Sequence, residues 1–221
     1  MESRRPEITG SRSILKKLWK HSFFYVFIPA ALLLLLAVFA AGIYLIWFHQ
    51  IRSVPPPPDV GRIRPLLKNG DVILRSGVGL WSELFRSRNV ADHRFSHVGI
   101  VSIGGDGLCR VIHAEADDLT GDGRVGIDTL EHFVGESSSV GISRLHAGDP
   151  NLLAEYAASF VGRPFDWKFN RNEDAAVYCT ELIDLSLRKI DPALRLPDDR
   201  GIILPEACLI PEYFTEIPVG P

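Results

Sequence analysis

A chain of 221 residues has room for one ordinary domain and one further element, and a net charge of −3 gives no reason to expect nucleic acid as a partner. Its three cysteines, Cys109, Cys179 and Cys208, form neither a disulfide framework nor a zinc-finger spacing, and the odd number leaves at least one free in a monomer.

Residues 1–22 are basic, with Arg4, Arg5, Arg12, Lys16, Lys17 and Lys20 outnumbering Glu2 and Glu7. Residues 23–48, from Phe23 to Phe48, are uncharged and almost wholly apolar. That run exceeds the roughly 20 residues needed to cross a bilayer core, and Trp19, Tyr25, Tyr44 and Trp47 lie near its ends, as interfacial aromatics do. A cleaved signal peptide has an apolar region of only about 7–15 residues. Ala40-Ala41 offers a cleavage point, but the apolar run continues past it to Phe48, so the reading is an uncleaved single-pass anchor. Basic residues ahead of the span put the N-terminus in the cytoplasm and the remainder in the periplasm or outside the cell, although Arg52, Arg62, Arg64 and Lys68 after the span dilute that signal. The predicted location is therefore the inner (cytoplasmic) membrane.

Residues 49–65 read as a linker stiffened by Pro55 to Pro58, with the folded domain at 66–221. Asn69-Gly70-Asp71 marks a turn and Val72-Ile73-Leu74 a short buried strand. Asp71 fits that turn better than it fits a catalytic acid. Leu80, Trp81, Leu84 and Phe85 suit a short helix, packed in the core or lining an acyl entrance. Arg94 to Ile103 reads as a strand, Gly104 to Gly107 as a hairpin turn, and Leu108 to Ala114 as the returning strand. A short helix over 129–134, a strand over 139–145 and a helix over 151–161 follow. Leu204 to Pro218 reads as a loop-rich tail, with Pro205 and Pro211 in it. Antiparallel strands followed by helices predict an α+β domain: a small sheet with packed helices.

Cys179 precedes an amphipathic pattern of Leu182, Leu185 and Ile190, which places it in the first turn of a helix. The free N–H groups and positive dipole there favour a thiolate, so a lowered pKa is expected. The same N–H groups suit the oxyanion of a tetrahedral intermediate. Such a cysteine is a nucleophile or a buried structural residue. His97 lies in one hairpin strand and His113 in the other, at similar depth from the turn, so they are cross-strand or diagonal neighbours. A cysteine, a histidine to take its proton and a polar group to orient that histidine make the cysteine-nucleophile arrangement; two core histidines are the alternative. His93 and His97 suggest zinc, but the extended pattern around His97 does not support a helical His-x-x-x-His site, and no metal or cofactor is expected.

These residues resemble a known family, the circularly permuted papain-like hydrolases of the NlpC superfamily, or YiiX/YaeF-like amidases. Four pieces carry the resemblance, in order: Gly70-Asp71-Val72-Ile73, Phe95 to Val101, Phe165-Asp166 with Phe169, and Tyr178 to Leu182. The resemblance implies a permuted papain-like fold, Cys179 as nucleophile, His97 as general base and Tyr178 as a shaper of the oxyanion site. Many relatives carry an acid where His113 stands, so the third member is His113 or Glu115. A histidine there is similar to lecithin–retinol acyltransferase-like enzymes. The implied activity is hydrolysis of an amide, ester or thioester acyl bond in the cell envelope, in a peptidoglycan peptide or an acyl lipid. The alternatives are a lipid acyltransferase and a non-catalytic binding module on a membrane stalk.

Overall fold

A computed structural model describes residues 28–52, 55–78, 80–117, 120, 122–170 and 175–220. The basic segment and the first residues of the apolar run lie outside these. The chain divides into two units, 1–54 and 55–221. In the first, helix α1 (Ile28–Arg52) carries no charged residue before Arg52. Its stretch Ile28–Ile46 is long and apolar enough to cross a membrane, and large side chains such as Leu33, Leu36, Phe39 and Leu45 are exposed along it.

The second unit begins earlier than the expected boundary at Leu66. Asp59 caps a turn of helix, α2 (Val60–Ile63), by accepting the Gly61 N–H at 2.8 Å, and Ile63 is buried. Six antiparallel strands follow in one sheet of spatial order β4-β3-β2-β1-β5-β6. They are β1 (Val72–Gly77), β2 (His97–Ile103), β3 (Cys109–Ala116), β4 (Gly123–Thr129), β5 (Ser137–Leu145) and β6 (Phe214–Ile217). Between them lie α3 (Leu80–Arg88), α4 (Leu130–Gly135), α5 (Pro150–Ala158) and α6 (Cys179–Ile190). The domain is thus α+β, as the sequence predicts. Strands β4 and β6 are additions to the sequence reading, and β6 falls in the tail read as loop-rich.

β1 is buried along its whole length, which suits a central strand of Val, Ile and Leu. Alternation divides the core. Val72, Leu74, Val98 and Ile100 pack with α5 and α6 on one face, and Ile73, Val101, Val111 and Phe133 pack on the other, where α4 lies. Gly70 has φ +80, and a Cβ there would stand 1.7 Å from the Pro150 carbonyl oxygen, so only glycine fits the turn into β1. Asp71 is fully buried. It accepts two hydrogen bonds from Arg144 at 2.8 Å and one from the Lys68 N–H at 2.7 Å, tying the start of β1 to β5.

The loop that delivers β2 is held from two sides. Glu206 accepts the N–H groups of Val90, Ala91 and Asp92 at 2.7, 2.7 and 2.8 Å, and Asn89 donates to the Phe95 carbonyl at 2.8 Å. His97 therefore enters the sheet from a fixed backbone.

Candidate active site

Tyr178 stands at the N-cap of α6 in extended conformation, φ −101 and ψ 171, and Cys179 opens the helix. The Cys179 sulfur accepts hydrogen bonds from the backbone N–H groups of Val98 and Thr180. The first belongs to β2, next to His97, so the nucleophile candidate sits against the strand of the base candidate. Cys179 and His97 line one cleft of about 890 Å³. Arg75, Glu115 and Glu136 form a charged wall of this cleft, and Phe85, Phe165, Trp167 and Phe169 an aromatic one.

Behind His97 runs a chain of hydrogen bonds. His97 Nε2 lies 2.9 Å from His113 Nδ1, and His113 Nε2 lies 3.0 Å from Asp128 Oδ2. Ile100 pairs with Ile112, so His113 falls beside Gly99, diagonally across from His97 and on the same face. Phe133 of α4 packs edge-on against His113, with ring centroids 5.2 Å apart, and lies 5.8 Å from His97. Arg75, buried beside them, donates to the Phe133 carbonyl, to Glu136 and to Glu115, and its guanidinium stacks 4.8 Å from the Phe133 ring centroid.

Burial sets the charge state of the pair. Removal from water pushes the Cys179 thiol up to about 11, against the smaller opposing effect of its two N–H donors. This reverses the expected lowering: the helix N-terminus does act on the sulfur, but desolvation outweighs it. Burial, then the positive charge of Arg75 and then His113, hold His97 well below the usual histidine value. His113 is lowered as well, chiefly by burial. At neutral pH the resting cleft therefore holds a thiol and two neutral imidazoles, and a thiolate arises only as the proton leaves for a base.

Residues 66–195 match the model of the permuted papain-like amidase enzymes of YaeF and YiiX. The chain belongs to this family. Among solved structures, the amidase domain is similar to the metalloprotein YiiX from Escherichia coli O157:H7, at 16% identity and a TM-score of 0.55. That likeness covers 69% of this chain and 97% of the other. No curated protein matches the chain.

In this amidase the other predicted residues fall as follows. His113 contacts His97, whereas Glu115 is drawn to Arg75, and its nearest approach to His113 Nδ1 is 3.7 Å. Tyr178 does not line the cleft: its ring packs 5.1 Å from that of Phe169, and its hydroxyl accepts the Ile203 N–H at 3.0 Å. His93 lies on the exposed loop, its Nδ1 at 2.9 Å from the Arg86 carbonyl oxygen, and is not among the cleft residues. Of the apolar set in α3, Phe85 lines the cleft and Leu84 is 44% exposed; the side chains of Leu80 and Trp81 are outside the described residues. Cys109 and Cys208 are free thiols buried in the cores on opposite faces of the sheet, so they do not pair. Asp128 was not anticipated. Its signal, an Asp two residues after Gly126 in an alternating stretch, is too common to single out.

Proposed function

We propose that the protein is a membrane-anchored cysteine hydrolase that cleaves amide, ester or thioester acyl bonds in the cell envelope. The observation that supports this most is that Cys179 and His97 line one cleft while His113 holds the His97 ring from behind. Cys179 Sγ attacks the acyl carbonyl carbon and His97 takes the thiol proton. The new S–C bond holds a tetrahedral intermediate, whose charge meets donors already at the reacting sulfur, the N–H groups of Val98 and Thr180. The intermediate collapses, His97 returns the proton to the leaving nitrogen, oxygen or sulfur, and an acyl-enzyme remains. Water, deprotonated by His97, then attacks the acyl carbon, the S–C bond breaks, and His97 returns that proton to Sγ, releasing the acid and restoring the thiol. Another acceptor in place of water would make the same site an acyltransferase.

The substrate classes are a peptidoglycan peptide and an acyl lipid. The aromatic wall of Phe85, Phe165, Trp167 and Phe169 suits an apolar or planar group next to the acyl carbon. A metal ion fits this cleft poorly. His97, His113 and Glu115 offer donor atoms within 4.8 Å of one another. The hydrogen bond between the two imidazoles, however, occupies the place an ion needs, and the Arg75 guanidinium already holds Glu115. No step of the mechanism above is routed through a metal.

Incubating the full chain with cell-envelope extract should leave an acyl adduct on Cys179, seen by mass spectrometry of the intact protein and of its Cys179 peptide. Adducts confined to Cys109 or Cys208, or none in extract where hydrolysis proceeds, would refute the covalent mechanism.

The apolar helix α1 supports placing the domain at a membrane, with residues 1–22 in the cytoplasm and the domain on the far side. An anchor raises the effective concentration of the site for substrates at the same surface. Removing residues 1–54 should leave hydrolysis of a small soluble ester unchanged and sharply lower turnover of the same acyl group held in phospholipid vesicles. Equal vesicle rates for both forms would mean that the anchor does not serve substrate encounter.

A further inference from the structure

We infer that Asp128 is a positioning residue for His97, acting through His113 by fixing the proton positions on both rings. The inference rests on the reading of His97 as the base. A carboxylate accepts hydrogen bonds and does not donate them. Asp128 Oδ2, 3.0 Å from His113 Nε2, therefore requires the His113 proton on Nε2. His113 Nδ1 is then a bare acceptor. Its partner at 2.9 Å, His97 Nε2, must be the donor. A neutral His97 with its proton on Nε2 has an unprotonated Nδ1, which is the atom able to receive the thiol proton.

Among the described residues, Asp128 is the carboxylate within hydrogen-bond distance of His113. Glu115 Oε2 stands 3.7 Å from His113 Nδ1 and His132 Nε2 3.6 Å from Asp128 Oδ2, both beyond good hydrogen-bond range. His113 is only 2% exposed, so water does not substitute readily for Asp128. The backbone is shaped for the same contact. A Cβ at Gly99 would lie 3.1 Å from His113 Cβ and 2.5 Å from Val111 Cγ1, so a side chain there would displace His113. Asp128 itself sits on β4, two residues beyond the Gly126 that pairs with His113.

The test uses the full chain with ¹⁵N-labelled histidine and NMR detection of the ring nitrogens, with p-nitrophenyl acetate as the kinetic probe. Wild type should show His97 and His113 both protonated at Nε2. In Asp128→Asn the amide can donate as well as accept, so the Nδ1-protonated forms should become populated. The kcat should fall about 10–100-fold with KM unchanged, in the range of lost outer-shell partners. In a His113→Ala background Asp128→Asn should cost nothing further. His97 protonated at Nδ1 in the wild type would overturn the inference even if the variants fail to fold. An equal Asp128→Asn loss with and without His113 would reduce Asp128 to a structural role. Failure of the hydrolase reading shows separately, as undiminished hydrolysis by Cys179→Ala, and leaves the ring-nitrogen result standing.

Discussion

Cys179→Ser is expected to leave the fold intact and to lower turnover by on the order of 10³-fold or more. The folding expectation follows from the site. The side chain faces the cleft, and a hydroxyl can accept the same two N–H groups, from Val98 and Thr180, that the sulfur accepts. The catalytic expectation follows from the burial that pushes the thiol up to about 11. The same burial acts on an alkoxide, which starts from a far higher pKa, so His97 would have to remove a much less acidic proton. Cys109→Ser and Cys208→Ala separate this from a general effect of losing sulfur. Both side chains are buried in the core, so each substitution should lower stability, by about 1–3 kcal/mol, and leave turnover of the folded protein nearly unchanged. Steady-state rates at matched folded fraction decide it. A Cys109→Ser loss equal to that of Cys179→Ser would move the nucleophile elsewhere.

His97→Ala should cost about 10²–10⁴-fold in kcat/KM, and His113→Ala less, because one removes the base and the other its support. The pH profile carries a sharper expectation. The active form has a neutral imidazole, and its protonation at low pH ends activity. Since burial and Arg75 hold His97 well below the usual value, the acid limb should lie well below pH 6.5. The alkaline limb should follow the thiol, near pH 11, because a thiol ionised before attack leaves His97 without the proton it must hand to the leaving group. Arg75→Gln removes one cause of the lowered His97 value and leaves Glu115 and Glu136 without their cation, so both effects push the His97 pKa up. The acid limb of this variant should move toward neutral pH. An acid limb that stays in place, in a variant whose folded yield matches wild type, would show that Arg75 does not act on the base.

Much of this site was legible before the fold was known. His97 and His113 flank a glycine turn on alternating strands, and hairpin geometry alone makes them neighbours. Cys179 begins an amphipathic helix whose apolar stripe shows in the residues themselves. The missing pieces share a cause. β4 has two glycines and buries only Val125, so its extended form comes from pairing with β3 rather than from its own pattern. The Asp128 it carries is invisible for the same reason. β6 has four residues and owes its conformation to β5. The direction of the thiol shift turned on the depth of Cys179, a tertiary quantity that spacing does not encode.

The sheet order has a consequence for when the protein becomes active during folding. β1 to β4 pair as sequence neighbours, so His97, His113 and Asp128 can come together from local contacts. β5 must then close on β1, with Ile142 opposite Ile73, a loop of about 70 residues. Only after α5 does the chain reach α6, which packs on β2 and brings the sulfur to Val98. Loop-closure entropy makes such late, distant contacts the slow ones. A chain stalled partway holds a finished proton relay with no nucleophile against it. Turnover of an ester probe should therefore report completion of the native topology, appearing with the last kinetic phase of refolding rather than with the first gain of β structure.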